Sequence, residues 1–146
     1  DAEVEDALRA TAAQHSGAIA IRIGYDEKIA RRIFAGSDFL LMPSRFEPCG
    51  LSQMYAQRFG SLPIAHNTGG LNDTIEDGAT GFLFSKATAE TFVTAIHRAK
   101  NVFQKKDDLA VMRRQAMTRP VGWKQAVRSY MGVYRRALAR ETQVAA

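Results

Sequence analysis

The sequence has a single cysteine, Cys49, among its 146 residues. One thiol excludes an internal disulfide framework and a cysteine-based zinc site, and it fits a reducing compartment. No apolar run approaches the roughly 20 residues of a membrane-spanning helix, since stretches such as Phe39–Pro43 are far shorter. The three histidines, at positions 15, 66 and 97, are too dispersed to predict a metal-ligand cluster.

The sequence also lacks the basic N-terminal segment of a secretory signal peptide. Its first residues are acidic, and it starts at Asp1 rather than at a methionine. We therefore expect no signal peptide and a chain that is either a processed product or a piece of a longer protein. The 46% of hydrophobic and 24% of charged residues are typical of one globular domain rather than of a disordered segment.

The net charge of +5 raises the alternative of a nucleic-acid-binding module. Residues 1–85 hold 7 Lys/Arg against 11 Asp/Glu, whereas residues 86–146 hold 13 against 4. The basic excess thus lies on the predicted C-terminal helices, without the interleaved aromatic residues of a single-strand-binding surface. A solvated or partner-facing helix surface is the simpler interpretation, and we expect no nucleic-acid partner.

Short apolar runs alternate with amphipathic patterns along the chain. The runs predict extended segments at Ala18–Ile23, Asp38–Met42, Leu62–Ala65 and Phe82–Phe84. Helices are predicted at 2–14, 50–58 and 71–76, and further helices are predicted to begin after Asp26, Thr88, Asp107 and Gly122. Asp26, Thr88 and Asp107 are the expected caps. In the helix at 50–58, the side chains of Leu51, Met54 and Tyr55 are expected to face inward. Strands that are apolar on both faces and alternate with helices predict a parallel α/β sheet covered on both sides.

Ligands of such sheets bind beyond the carboxyl ends of the strands, which directs attention to the loop Pro43–Gly50. Glu47 lies there just before a predicted helix, and Gly50 allows close approach of a ligand to the backbone. This arrangement predicts an anion site with a carboxylate beside it. The alternative is that Glu47 only caps the helix.

Two further loops are expected on the same edge of the sheet. His66–Gly70 contains a glycine pair and a threonine hydroxyl, which suit a phosphate but also occur in ordinary turns. Gly24–Asp26 carries Tyr25, whose ring could stack on a nucleotide base or pack on its own helix. His66 is a candidate lining residue, whereas Cys49 has no nearby histidine to activate it as a nucleophile.

Three segments together resemble the C-terminal domain of bacterial glycogen synthases and plant starch synthases. They are Ile23–Tyr25, Pro43–Leu51 and Thr68–Thr74, and the resemblance extends over nearly the whole chain. It implies a Rossmann-like parallel sheet with flanking helices, part of the C-terminal domain of a GT-B glycosyltransferase. Residues 1–120 would form a partial sugar-nucleotide-binding domain, and residues 121–146 a closing helix and tail.

The resemblance implies a cytoplasmic enzyme that transfers glucose from ADP-glucose to the non-reducing end of an α-1,4-glucan, with retention of configuration. Glu47 is then the catalytic carboxylate, either as a nucleophile or as the stabiliser of an oxocarbenium-like state, and we favour the stabiliser. The backbone at Cys49 and Gly50 would hold the glucosyl hydroxyls, and Tyr25 would stack on adenine. The residues lining the diphosphate would be Leu51, Thr68, Gly69 and Gly70. No metal, other cofactor or membrane partner is expected.

Two differences from related enzymes refine this interpretation. Tyr55 stands where other sugar-nucleotide transferases of this fold carry a second glutamate, eight residues after the first, and this favours the glycogen synthase branch over a different donor. The family's N-terminal glycine loop and its phosphate-binding Arg and Lys have no counterpart in the sequence. We therefore expect the chain alone to be inactive and to self-associate through an exposed sheet edge. The alternative is a non-catalytic interaction fragment stabilised by a partner.

Overall fold

The computed structural model describes the backbone of residues 1–144 and the side chains of residues 1–139. Residues 1–33 form one compact unit, and the chain from Phe34 onward forms a second. The elements in chain order are α1 (Ala2–Gln14), α2 (Glu27–Gly36), β1 (Phe39–Met42), α3 (Ser52–Phe59), β2 (Leu62–His66), α4 (Gly69–Thr74), β3 (Phe82–Phe84), α5 (Ala89–Phe103), α6 (Lys106–Thr118) and α7 (Trp123–Val144).

In the first unit, aspartate side chains start both helices. Asp1 Oδ1 accepts a hydrogen bond from the N–H of Glu3 at 3.1 Å, and Asp26 Oδ1 accepts one from Ile29 at 3.1 Å. The strand predicted at Ala18–Ile23 is wrong, because this segment is a turn followed by irregular backbone. Residues 1–33, all of them described, contain no other strand that could complete its hydrogen bonds, and an isolated strand is not stable.

The second unit is built on a parallel sheet with the strand order β1-β2-β3. Leu41 pairs with Ile64, and Ile64 pairs with Phe82. The first four residues of the central strand β2 are buried, as expected for a parallel strand covered on both faces. The α/β fold class predicted from the alternation of apolar runs and helices is confirmed.

Two hydrophobic clusters hold the helices against the sheet. The larger cluster joins the strands to α5 and α6 and contains Leu62, Ile64, Phe82, Phe84, Ala95, Ala99, Leu109, Met112 and Ala116. The smaller cluster contains Ala65, Leu71 and Ile75. Because Ile64 and Ala65 are consecutive in β2, they face opposite sides of the sheet. Burial of each large side chain contributes about 1.5–3 kcal/mol.

β1 is an edge strand of this sheet, and it is apolar. Leu41 is 52% exposed there. A groove of about 350 Å³ runs beside the strand, and its lining residues include Phe39, Ile96 and Phe103. The bare apolar edge expected from the sequence is therefore present among the described strands.

The C-terminal helices follow the predicted pattern with one change. α6 starts after Lys105, and Asp107 lies in the first turn rather than at the predicted cap, where its charge still favours the helix dipole. α7 begins after Gly122 as predicted, and its aromatic residues Trp123 and Tyr130 are 79% and 60% exposed. The closing helix and tail predicted at 121–146 includes residues 145–146, which lie outside the described residues.

Candidate functional site

Two loops follow the carboxyl ends of β1 and β2, and the structure brings them together. We call residues 43–51 the carboxylate loop and residues 66–70 the glycine turn. The N–H of Gly70 donates a hydrogen bond to the carbonyl oxygen of Glu47 at 3.0 Å. His66 Nδ1 lies 2.9 Å from the carbonyl oxygen of Ser44. Because a carbonyl only accepts, His66 carries a proton on Nδ1 in this contact.

The contact between the loops is too close for any side chain at the glycine pair. A Cβ at Gly69 would lie 2.1 Å from the carbonyl oxygen of Glu47. A Cβ at Gly70 would lie 2.5 Å from the Cα of Cys49. Gly69 also has a φ of +45°, which favours glycine. The glycine pair thus fixes how closely the two loops approach.

The side chain of Glu47 does not cap α3. The N-cap of α3 is Leu51, and no side chain forms a capping hydrogen bond there. Glu47 is half-buried as a residue, and within the described part of the chain its carboxylate makes no hydrogen bond or ion pair. The capping alternative is therefore wrong, and this carboxylate is available to a ligand.

Backbone donors without partners lie in the same two loops as this carboxylate. The N–H groups of Gly50, Leu51 and Gly69 have no acceptor among the described residues. Gly50 has a φ of +73°, and Leu51 follows in the right-handed region at φ −110° and ψ −28°. A left-handed residue followed by a right-handed one lets successive N–H groups converge on an anion. The two loops can therefore offer hydrogen-bond donors to an oxyanion, and the same loops carry a carboxylate without a partner among the described residues.

The other predicted site residues fit this arrangement to different degrees. Cys49 is exposed, and its Sγ lies 3.7 Å from the carbonyl oxygen of Gly50. Thr68 is the N-cap of α4, but its hydroxyl makes no capping hydrogen bond. Tyr25 belongs to the first unit and is 94% exposed, and its stacking on a base stays a prediction.

The sequence interpretation missed the polar residues beneath the loops. The predicted inward face of α3 is wrong, since Leu51 and Tyr55 are more than half exposed. The buried face instead carries Gln53, Ala56 and Gln57. The two glutamines, one helical turn apart, could have indicated the buried face of α3. An analysis of hydrophobic periodicity gives no weight to amide side chains and therefore does not detect them.

No metal centre or membrane helix is found in the part of the chain that the structure describes. Among the described residues, no three or more His, Cys, Asp or Glu side chains are grouped so that they could hold a metal ion. None of the described helices combines the length and apolarity needed to cross a membrane.

The chain is similar to several known proteins. A family model, glycosyl transferases group 1, matches residues 8–114. A glycogen synthase from Pseudomonas savastanoi pv. phaseolicola is 58% identical over 142 residues, 97% of this chain and 29% of that protein. One from Xanthomonas campestris pv. campestris is 53% identical over 143 residues, 98% of this chain and 30% of that protein.

The fold is also similar to that of a solved structure. The catalytic domain of starch synthase IV from Arabidopsis thaliana, bound to ADP and acarbose, superposes with a TM-score of 0.81 at 32% identity. The match covers 95% of this chain and 31% of that one. The chain therefore spans less than a third of the length of these relatives.

Proposed function

Because the chain belongs to the family of group 1 glycosyl transferases, we propose that it forms the donor-binding part of a glycogen synthase. Such an enzyme transfers glucose from ADP-glucose to the non-reducing end of an α-1,4-glucan with retention of configuration. Relatives named glycogen synthase, at 53% to 59% identity, support this reaction. The structural neighbour bound to ADP supports the nucleotide and confirms the predicted GT-B class of fold.

The contact between the carboxylate loop and the glycine turn is the observation that carries this proposal. It leaves the Glu47 carboxylate and the N–H groups of Gly50, Leu51 and Gly69 without partners among the described residues. A nucleotide-sugar donor needs both features. Its diphosphate needs hydrogen-bond donors, and its anomeric carbon needs a negative charge nearby while the bond to the diphosphate breaks.

Each site residue then has a role. Glu47 stabilises the positive charge that develops on the sugar, and the backbone at Cys49 and Gly50 holds the glucosyl hydroxyls. Leu51, Thr68 and Gly69 line the diphosphate. Gly70 lines it through close approach, because its own N–H is already bonded to the carbonyl oxygen of Glu47.

The proposal extends to the organisation of the protein. Residues 1–120 contribute the sugar-nucleotide-binding part, and residues 121–146 the closing helix and tail. The single cysteine is compatible with the proposed location in the cytoplasm. Since the chain spans less than a third of its relatives' length, we expect the isolated chain to bind ADP without transferring glucose.

A chimera tests the proposed activity. This chain replaces the matching 142-residue segment of the Pseudomonas glycogen synthase described above, and incorporation of labelled glucose from ADP-glucose into glycogen is measured. We expect a kcat within about tenfold of the parent enzyme, or about 1.4 kcal/mol of activation free energy. A folded chimera without transfer contradicts the proposal.

Tyr25 provides a test of the nucleotide site in the isolated chain. Because its ring is 94% exposed, Tyr25→Ala should leave the melting temperature unchanged. Loss of base stacking, worth about 1–3 kcal/mol, should raise the Kd for ADP in calorimetric titration. Tyr25→Phe keeps the ring and should bind ADP like the original chain. Equal affinity of all three proteins would remove Tyr25 from the site.

Self-association through the edge of β1 is the remaining part of the proposal. Leu41 is 52% exposed on this edge, beside the apolar groove. We expect sedimentation velocity to show dimers or larger species, and Leu41→Lys to shift them towards monomer because a charge on an edge strand opposes pairing. Val111→Lys, on the exposed side of α6, is the control. A monomeric original chain contradicts this prediction.

A further inference from the structure

The amide side chain of Gln53 lies beneath the carboxylate loop and is fully buried. Its Nε2 donates hydrogen bonds to the carbonyl oxygens of Cys49 and Gly50, each at 2.9 Å. Nε2 also lies 3.0 Å from Thr74 Oγ1, so its two hydrogens are shared among three acceptors. Because carbonyl oxygens only accept, the NH₂ end of the amide must face the loop, and this fixes the orientation of the side chain.

Thr74 extends these contacts to the glycine turn. Its hydroxyl donates a hydrogen bond to the carbonyl oxygen of Gly70 at 2.6 Å, and it therefore accepts the one from Gln53. The path from Gln53 through Thr74 to Gly70 links the two loops from below. The hydrogen bond from the Gly70 N–H to the Glu47 carbonyl oxygen links them a second time.

These hydrogen bonds also determine where the free N–H groups point. The peptide bonds of the described residues are trans, and in a trans peptide the N–H points away from the carbonyl oxygen. The Cys49 carbonyl shares a peptide with the Gly50 N–H, and the Gly50 carbonyl shares one with the Leu51 N–H. With both carbonyls held towards Gln53, both N–H groups point away from it, out of the protein interior.

Only one end of this buried amide is paired. Gln53 Oε1 is buried and has no hydrogen-bond partner among the described residues, and an unpaired buried acceptor lowers stability. The Oε1 atom also lies 2.4 Å from where a Cβ at Gly50 would be, so the amide packs directly against that glycine. These features indicate that Gln53 sets the backbone conformation of the carboxylate loop.

We propose that Gln53, together with Thr74, is a positioning residue that aims the N–H groups of Gly50 and Leu51 at the anionic nucleotide-sugar donor. The inference rests on the proposed function, because it assumes that these N–H groups receive the donor. Gln53 itself does not touch the donor in this arrangement. It acts through the two carbonyls that it holds.

Gln57 offers a matched control one turn further along α3. It is also buried, and its Nε2 donates to the carbonyl oxygens of Thr74 and Thr80 at 3.1 and 3.2 Å. It too has an Oε1 without a partner among the described residues. Gln57 therefore shares the burial and hydrogen bonding of Gln53 but makes no hydrogen bond to the carboxylate loop.

The test compares Gln53→Met and Gln57→Met in the full 146-residue chain, with melting temperature, amide chemical shifts and the Kd for ADP as readouts. Each variant removes the side-chain hydrogen bonds to two carbonyl oxygens, so we expect similar losses in melting temperature. Gln53→Met should shift the Gly50 and Leu51 amide resonances and raise the Kd for ADP about tenfold or more. Gln57→Met should leave the Kd for ADP within about twofold.

A second pair of variants tests the link if Gln53→Met does not fold. Thr74→Val keeps the shape of the side chain but removes the hydroxyl, and it should raise the Kd for ADP several-fold. Thr74→Ser keeps the hydroxyl and should restore binding. If the original chain binds ADP but Thr74→Val binds as tightly as Thr74→Ser, or Gln53→Met as tightly as Gln57→Met, the inference is wrong. If the original folded chain does not bind ADP, the proposed donor site and the inference both fail.

Discussion

Replacing Glu47 with glutamine in the chimera should lower kcat for glucosyl transfer by about 10²–10³-fold, the usual cost of removing one electrostatic stabiliser of a transition state. The amide has nearly the same shape but no charge, so it cannot stabilise the positive charge on the sugar. Stability should change by less than about 0.5 kcal/mol, because the Glu47 carboxylate has no partner among the described residues. Glucose incorporation and thermal unfolding measure the two effects.

Glu76→Gln is the control for this prediction. Glu76 is an exposed glutamate in the same unit, outside the two loops, and its replacement should leave transfer unchanged. Transfer by Glu47→Gln near the original rate would remove Glu47 from the catalytic role. A loss of about 1 kcal/mol of stability with transfer intact would instead indicate a capping role, which the structure does not show.

Gly70→Ala should destabilise the second unit by about 3 kcal/mol, at the upper end of the usual cost of overpacking. The added Cβ would lie 2.5 Å from the Cα and the carbonyl oxygen of Cys49. These are backbone atoms, which cannot rotate away as a flexible side chain could. Either the carboxylate loop or the glycine turn must move, so binding of ADP should be lost as well.

Gly36→Ala is the matched control, because a Cβ there meets nothing within 4 Å. Gly36 ends α2, where alanine should be neutral or slightly stabilising. Chemical denaturation and titration with ADP measure both variants. If Gly70→Ala has the same free energy of unfolding and the same Kd for ADP as the original chain, the close contact between the loops does not shape the site.

The sequence was sufficient to predict the three parallel strands and the two neighbouring loops in which the proposed site lies. The apolar runs at β1 and β2 are continuous enough to identify strands of a parallel sheet, and loops that follow such strands must open on one edge. Glu47 and the glycine pair could therefore be assigned to one site before their contact was known. The contact itself depends on backbone distances that no residue pattern encodes.

Two parts of the structure could not be predicted in this way. The run Ala18–Ile23 has the composition of a strand, but a strand also needs a neighbour, and composition does not show whether one is present. The inner face of α3 carries Gln53 and Gln57 because the carbonyl groups of neighbouring segments need donors there. Hydrophobic periodicity cannot detect a buried surface that is held by hydrogen bonds.

The most direct test of the donor site is the ¹⁵N–¹H spectrum of the 146-residue chain, titrated with ADP. We expect dispersed resonances, with the largest shifts at the amides of Tyr25, Gly50, Leu51 and Gly69 and small shifts on α6. Dispersed resonances that do not move at millimolar ADP would show a folded chain without a donor site and would contradict the proposed function.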